Sequence, residues 1–106
     1  MRERIRADLT NAMRSRDRPR INVLRSALSA IDNAEAVAAT YSSEGTIGYA
    51  DVARRSLTEA EVLELIAGEI SERETSAGHY LELGLTEQAR DLHEEADILR
   101  AYLGDA

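Results

Sequence analysis

The apolar residues of this chain recur every three or four positions in four successive segments, and no segment alternates as a β-strand would. Residues at this spacing lie on one face of an α-helix, whereas alternating residues would lie on one face of a strand. A chain patterned in this way buries its apolar stripes by packing helices against one another. The sequence therefore predicts an all-α fold with four main helices.

The four stripes predict helices over about residues 2–15 and 19–38, a third that starts at Thr58 and continues to Leu83, and a fourth that begins after Thr86. The first two would form an N-terminal helix pair. The last two would form a long antiparallel helical hairpin, because the connection between them is short. The expected core stripes are Ile5, Leu9, Ala12 and Met13; Ile21, Leu24, Leu28 and Ile31; Val62, Ile66, Ile70, Ala77 and Leu81; and Leu85, Ala89, Leu92, Ala96, Leu99 and Leu103.

Local signals support these helix ends. Asp17 is suited to cap the second helix, and Pro19 fits its first turn, where a missing N–H costs no hydrogen bond. Thr58 and Glu61 have the spacing of a capping box, and Gly84 suits the left-handed position that follows a helix. Residues 39–57 contain turn residues without a period, which predicts a connecting loop that could include a short helix near residues 49–54.

Composition bounds the class of protein. The 106 residues suit one domain, predicted as 1–106 with helices in 1–38, a loop in 39–57 and the hairpin in 58–104. Without Phe or Trp the core must be largely aliphatic, and without cysteine it has neither disulfides nor thiolate metal sites. No apolar run approaches the roughly 20 residues that span a bilayer, and the N-terminus lacks a signal-peptide stretch. We expect a cytoplasmic protein without membrane contact.

The net charge of −7 is unevenly distributed along the chain. Residues 1–36 hold eight arginines and five acids, whereas residues 37–106 hold five arginines and fifteen acids. Arginine pairs bidentately with phosphate, so a cluster of arginines at a helix junction is a candidate contact for phosphate, RNA or an acidic partner. Pairing with the acidic helices, or solvation alone, would explain the same residues. The cluster consists of Arg14, Arg16, Arg18, Arg20 and Arg25.

Two features argue against a typical nucleic-acid-binding surface. The isoelectric point near 4.8 is acidic, and residues 1–36 contain no aromatic side chain on which a base could stack. The Gly45–Gly48 segment has the Gly-x-x-Gly spacing of a KH loop but lacks basic neighbours and flanking strands.

No pattern indicates catalysis. His79 and His93 do not complete a Glu-x-x-His pair, and the acids of the fourth segment do not have the spacing of a calcium loop. Ser, His and Asp residues occur without a nucleophile elbow. Tyr80 and Tyr102 are interpreted as helix-packing residues. The sequence predicts no catalytic residue, no cofactor and no metal site, and hence a protein that is not an enzyme.

Three segments together resemble the YqeY-like family, which shares its domain with the C-terminal tail of the B subunit of the aspartyl/glutamyl-tRNA amidotransferase. The resemblance covers nearly all of residues 1–104 and is clearest in the second segment. The segments are residues 9–17, LTNAMRSRD; residues 24–35, LRSALSAIDNAE; and residues 57–62, LTEAEV, followed by Glu69-Ile70-Ser71-Glu72-Arg73, Tyr80, Gly84 and Leu99-Arg100-Ala101-Tyr102-Leu103.

The resemblance implies an all-helical fold without catalysis of its own, because the related tail helps to hold tRNA while other domains carry out the chemistry. Family members usually continue into a second small helical domain, which we expect to be absent here. These implications predict a non-catalytic binding or adaptor module that contacts tRNA or a tRNA-handling protein. Any link to amide formation would be by association with the family. The alternative is a protein-interaction or homodimerisation module, using the Leu85–Leu103 seam or the alanine-rich end of the second helix.

Overall fold

Four helices make up the fold of this chain. A computed structural model describes residues 1–43 and 56–104, with α1 over Arg2–Ser15, α2 over Arg18–Ser43, α3 over Glu59–Glu82 and α4 over Thr86–Arg100. The described residues contain no strand, so the all-α prediction is confirmed. α1 packs against α2, α3 packs against α4, and α2 contacts both helices of the second pair.

The sequence signals at both ends of α3 are confirmed. Thr58 Oγ1 accepts the Glu61 backbone N–H at 3.1 Å, and Glu61 Oε1 accepts the Thr58 N–H at 2.8 Å, which completes the capping box. After α3, Gly84 adopts a φ of 78°, and the Leu85 N–H donates to the Tyr80 carbonyl at 2.8 Å. This left-handed residue reverses the chain, so that α4 returns beside α3.

α2 is longer than the sequence predicted. It continues to Ser43, five residues beyond the expected end at residue 38, so the expected loop over 39–57 begins later than its turn residues suggested. The physical reason is that Ala38 and Ala39 favour helix, and neither Gly nor Pro interrupts the chain before Gly45. The rest of that loop up to residue 55, with the short helix near residues 49–54 and the Gly45–Gly48 segment, lies outside the described residues.

The core lies where all four helices meet. Its members come mostly from the predicted stripes, and the largest fully buried side chains include Leu24, Ile31, Ile66 and Leu99. Val23, which widens the second stripe, is buried as expected, and Ile98, the neighbour of the stripe residue Leu99, is also buried. A core of this kind depends on close packing of aliphatic side chains, since no Phe or Trp supplies a larger buried area.

Three predicted core residues, Met13, Leu81 and Leu85, lie at the surface. Met13 is 49% exposed, because it stands in the last turn of α1, where the chain is about to reverse. Leu81 and Leu85 are 50% and 38% exposed, because the end of the hairpin projects from the core and no residue from 78 to 88 is buried. All three positions continue a helical period beyond the region that neighbouring helices cover.

Candidate anion-binding surface

The junction between α1 and α2 is a tight reversal that brings arginines from both helices together. Arg16 follows α1 with a left-handed backbone (φ 57°, ψ 38°), and the Asp17 N–H donates to the Ala12 carbonyl at 3.0 Å. Asp17 then caps α2, as predicted, by accepting the Arg20 N–H at 3.3 Å. This arrangement is a Schellman-type ending followed directly by a new helix.

An open groove of about 420 Å³ lies along this junction, and we call it the arginine groove. Three of the five predicted arginines line it with exposed side chains, and none of the three makes an ion pair with another described residue. Guanidinium groups that lack an internal partner are free to bind an external anion. The groove is lined by Met13, Arg16, Arg18, Ile21, Asn22 and Arg25.

The other two predicted arginines lie outside the arginine groove. Arg20 bonds Asp17 Oδ2 through its Nε at 3.2 Å and lines a different cavity, next to Tyr102. Arg14 is exposed in the last turn of α1 and does not line the groove. The structure therefore divides the five predicted residues into Arg16, Arg18 and Arg25, which share a surface, and Arg14 and Arg20, which do not share it.

The backbone of Arg16 is unfavourable for an arginine. The left-handed conformation costs a non-glycine residue about 1–2 kcal/mol, and glycine is the residue usually found at this position after a helix. Among the described residues Arg16 is the only non-glycine residue with a positive φ. Strained residues of this kind tend to occur at functional sites. A strained, unpaired arginine at the rim of the groove is consistent with a binding role.

Tyr102 lines a second cavity, of about 440 Å³, between α1 and the C-terminal end of α4. Its hydroxyl donates a hydrogen bond to Asp8 Oδ2, and the Arg4 guanidinium lies 4.7 Å from the centre of its ring. Burial, together with the bonded Asp8 carboxylate, raises the pKa of Tyr102 well above its ordinary value. These contacts join residues far apart in sequence, which agrees with the interpretation of Tyr102 as a packing residue.

Tyr102→Phe should change the alkaline stability of the protein. An unfolded tyrosine ionises near pH 10, whereas the folded Tyr102 keeps its proton, so the wild-type free energy of unfolding should fall as pH rises above about 10. The variant should lose about 1 kcal/mol near neutral pH and show a flatter decline above pH 10. Urea unfolding between about pH 7 and 11 measures both effects. Tyr80→Phe is the control, because the Tyr80 hydroxyl makes no hydrogen bond to a described residue. An equal flattening of the alkaline decline in this control would contradict the assignment of the effect to Tyr102.

Two half-buried ionic networks were not foreseen from the sequence. Glu35, only 7% exposed, binds Arg2 through Oε1 and accepts the Leu57 N–H at 3.0 Å through Oε2. Arg73 binds Glu69 and Glu95 at 2.9 and 3.0 Å and donates to Ser26 Oγ at 3.1 Å. A usable signal was present: Glu35 falls four residues after Ile31, and Arg73 three after Ile70, so both interrupt an apolar stripe.

The remaining sequence candidates lie on the surface. His79 and His93 are both exposed, and the described residues contain no group of His, Cys, Asp or Glu side chains arranged to hold a metal ion. Nor is any described helix both long and apolar enough to cross a membrane.

The Leu85–Leu103 seam of α4 packs within the chain, since Ala89, Ala96 and Leu99 are buried.

The fold and the arginine groove define a small all-α protein whose exposed cations gather at one helix junction. The chain belongs to the YqeY-like protein family, whose model matches residues 2–106. This match confirms the resemblance that the three sequence segments indicated. No curated protein and no solved structure matches the chain significantly.

Proposed function

We propose that this protein is a non-catalytic, cytoplasmic binding module that holds the phosphodiester backbone of tRNA in the arginine groove. The observation that carries the proposal is the convergence on one groove of three arginines that make no ion pair with any residue in the described part of the chain. The resemblance to the tRNA-holding tail of the amidotransferase B subunit supports tRNA as the polyanion. A tRNA-handling protein that presents carboxylates to the same arginines is the nearest variant of the proposal.

The chemistry of the groove suits backbone contact. Arg16, Arg18 and Arg25 offer forked donors for phosphate oxygens, and the Asn22 amide can donate or accept at a ribose hydroxyl. Neither an aromatic side chain for stacking nor a general base lines the groove. Such a surface binds without reading bases and without changing its ligand. The acidic residues that dominate the rest of the chain would repel RNA and so restrict its approach to the groove.

Titration with tRNA at two salt concentrations tests this proposal. Three phosphate contacts should release about three counterions, so raising salt from about 50 to 200 mM should weaken binding about 40-fold. Replacing Arg16, Arg18 and Arg25 together by alanine should abolish binding at the lower salt. The matched control replaces Arg6, Arg14 and Arg90, which changes the net charge equally but leaves the groove intact, and it should retain most of the affinity. Equal losses in both variants, or no wild-type binding at low salt, would refute the proposal.

Arg16→Gly separates binding from folding. Glycine adopts the left-handed backbone without penalty, so this variant should be about 1 kcal/mol more stable than the wild type in urea unfolding. If the Arg16 guanidinium contacts phosphate, the same variant should bind tRNA more weakly and with a shallower salt dependence. A loss of affinity in a stabilised protein cannot come from unfolding. Unchanged affinity would remove Arg16 from the proposed contact.

A further inference from the structure

The exposed apolar side chains of this protein are concentrated at one place. Within the described residues, four of the six exposed large apolar side chains belong to residues 78–88, which we call the hairpin tip. Leu83 is 72% exposed, and no residue of the hairpin tip is buried. Clusters of this kind mark interaction sites, whereas single exposed apolar residues are ordinary. The four side chains are Tyr80, Leu81, Leu83 and Leu85.

The hairpin tip is acidic as well as apolar. Glu82 and Glu87 are exposed beside these leucines, and the segment from residue 78 to 88 contains neither Arg nor Lys. A partner surface that fits the tip must therefore combine an apolar centre with cations, because a second acidic surface would be repelled.

The arginine groove has these complementary properties. Met13, which is 49% exposed, and the partly buried Ile21 provide apolar surface, and the three unpaired arginines surround it. The groove, at about 420 Å³, has room for a leucine side chain. The apolar centre of one surface thus matches that of the other, and the charges at their edges have opposite signs.

We infer that the hairpin tip of one copy of this chain docks into the arginine groove of a second copy. Leu83 would contact Met13 and Ile21, and Glu82 and Glu87 would pair with the groove arginines. The other two pairings of these surfaces are unfavourable, since tip against tip opposes carboxylates and groove against groove opposes guanidinium groups. The contact joins two different surfaces, so a dimer held by one such contact keeps a free tip on one copy and a free groove on the other, and assembly continues beyond a dimer.

Sedimentation of the pure protein over a range of concentrations tests the inference. The average mass should rise with concentration at low salt, pass the mass of a dimer, and fall again as salt screens the charge pairs. Leu83→Ser should weaken association at least about tenfold, because a buried leucine side chain is lost from the contact. Val37→Ser is the matched control, since Val37 is 54% exposed on α2, away from both surfaces.

A complementation experiment gives the sharper result. Leu83→Ser keeps an intact groove, and the variant with Arg16, Arg18 and Arg25 replaced by alanine keeps an intact tip. Each variant alone should be monomeric, and an equimolar mixture should form a 1:1 dimer that cannot grow further. All the exchanged side chains are exposed or at the groove, so loss of folding does not account for a change, and circular dichroism of each variant checks this point.

Clear outcomes would overturn the inference. A wild-type protein that stays monomeric at every concentration, association that survives Leu83→Ser, or mixed variants that stay monomeric would each do so. The inference does not depend on RNA binding. Since the tip and tRNA would compete for the same groove, the comparison uses protein concentrations at which the wild type is monomeric. There Leu83→Ser should leave tRNA affinity unchanged, whereas the arginine variant removes both interactions, so failure of the self-association and failure of the proposed function give different results.

Discussion

Replacing Arg73 by methionine should lower the free energy of unfolding by about 2–3 kcal/mol, the largest loss expected from a single polar side chain in this protein. Arg73 is 13% exposed and joins three helices, because it belongs to α3 and binds Glu95 of α4 and Ser26 of α2. Burial by itself lowers the pKa of Arg73, but bonds and charges from Glu69 and Glu95 outweigh it, so the net shift is upward. The cation is therefore held by its partners.

The cost of Arg73→Met arises mainly from what remains. Glu69 and Glu95, 18% and 21% exposed, would then face each other without the cation between them. Arg100→Met is the matched control, since Arg100 also binds two acids, Glu74 and Asp97, but is 43% exposed. Exposed pairs contribute little, so the control should lose less than about 1 kcal/mol. Urea unfolding at pH 7 distinguishes the variants, and equal losses would contradict a special role for Arg73.

Glu35→Ala should lower the free energy of unfolding by about 2 kcal/mol. Its carboxylate holds Arg2 of α1 with one oxygen and the Leu57 N–H, just before α3, with the other. Removing it leaves that N–H and the half-buried guanidinium without this acceptor. The chain at Leu57, just before α3, should therefore open more often. Hydrogen exchange at Leu57 and in the first turn of α3 should accelerate more than exchange near Ile66.

Two further variants separate the charge of Glu35 from its hydrogen bond. Glu35→Gln keeps an oxygen that can accept the Leu57 N–H, so it should lose less stability than Glu35→Ala. Asp32 is the other acid that binds Arg2, and its side chain is 50% exposed. Asp32→Ala should therefore cost less than about 1 kcal/mol and should leave hydrogen exchange at Leu57 unchanged. Faster hydrogen exchange at Leu57 in Asp32→Ala would contradict the proposal that Glu35 holds the Leu57 N–H. Unchanged exchange at Leu57 in Glu35→Ala would contradict it as well.

The helices themselves were predictable because their signals are local. The capping box of Thr58 and Glu61 and the reversal at Gly84 each depend on residues within one or two turns. The helical period alone was enough to predict the buried stripe that contains Leu24 and Ile31. The length of α2 was underestimated because turn residues after Ser43 were given more weight than the alanines before it.

The candidate site was predicted only in part. The sequence pointed to five arginines, but which of them share a groove depends on the reversal at Arg16 and on the start of α2. Arg18 and Arg20, two residues apart on that helix, line different cavities. The apolar lining was missed because Met13 was assigned to the core. The exposed leucines of the hairpin tip were missed for the same reason, since a continued period does not show where neighbouring helices stop.

The sequence by itself determined the all-α class, the four helices, the buried stripes and the family, because helical period and helix caps act over a few residues. Only the tertiary structure decided which charges are paired and which are free. Tyr102 meets Asp8 across 94 positions, and Arg73 meets Ser26 across 47. Such contacts depend on how the helices cross, which is set by packing throughout the core. That packing pairs Arg73 and Arg2 internally and leaves Arg16, Arg18 and Arg25 exposed beside an open groove.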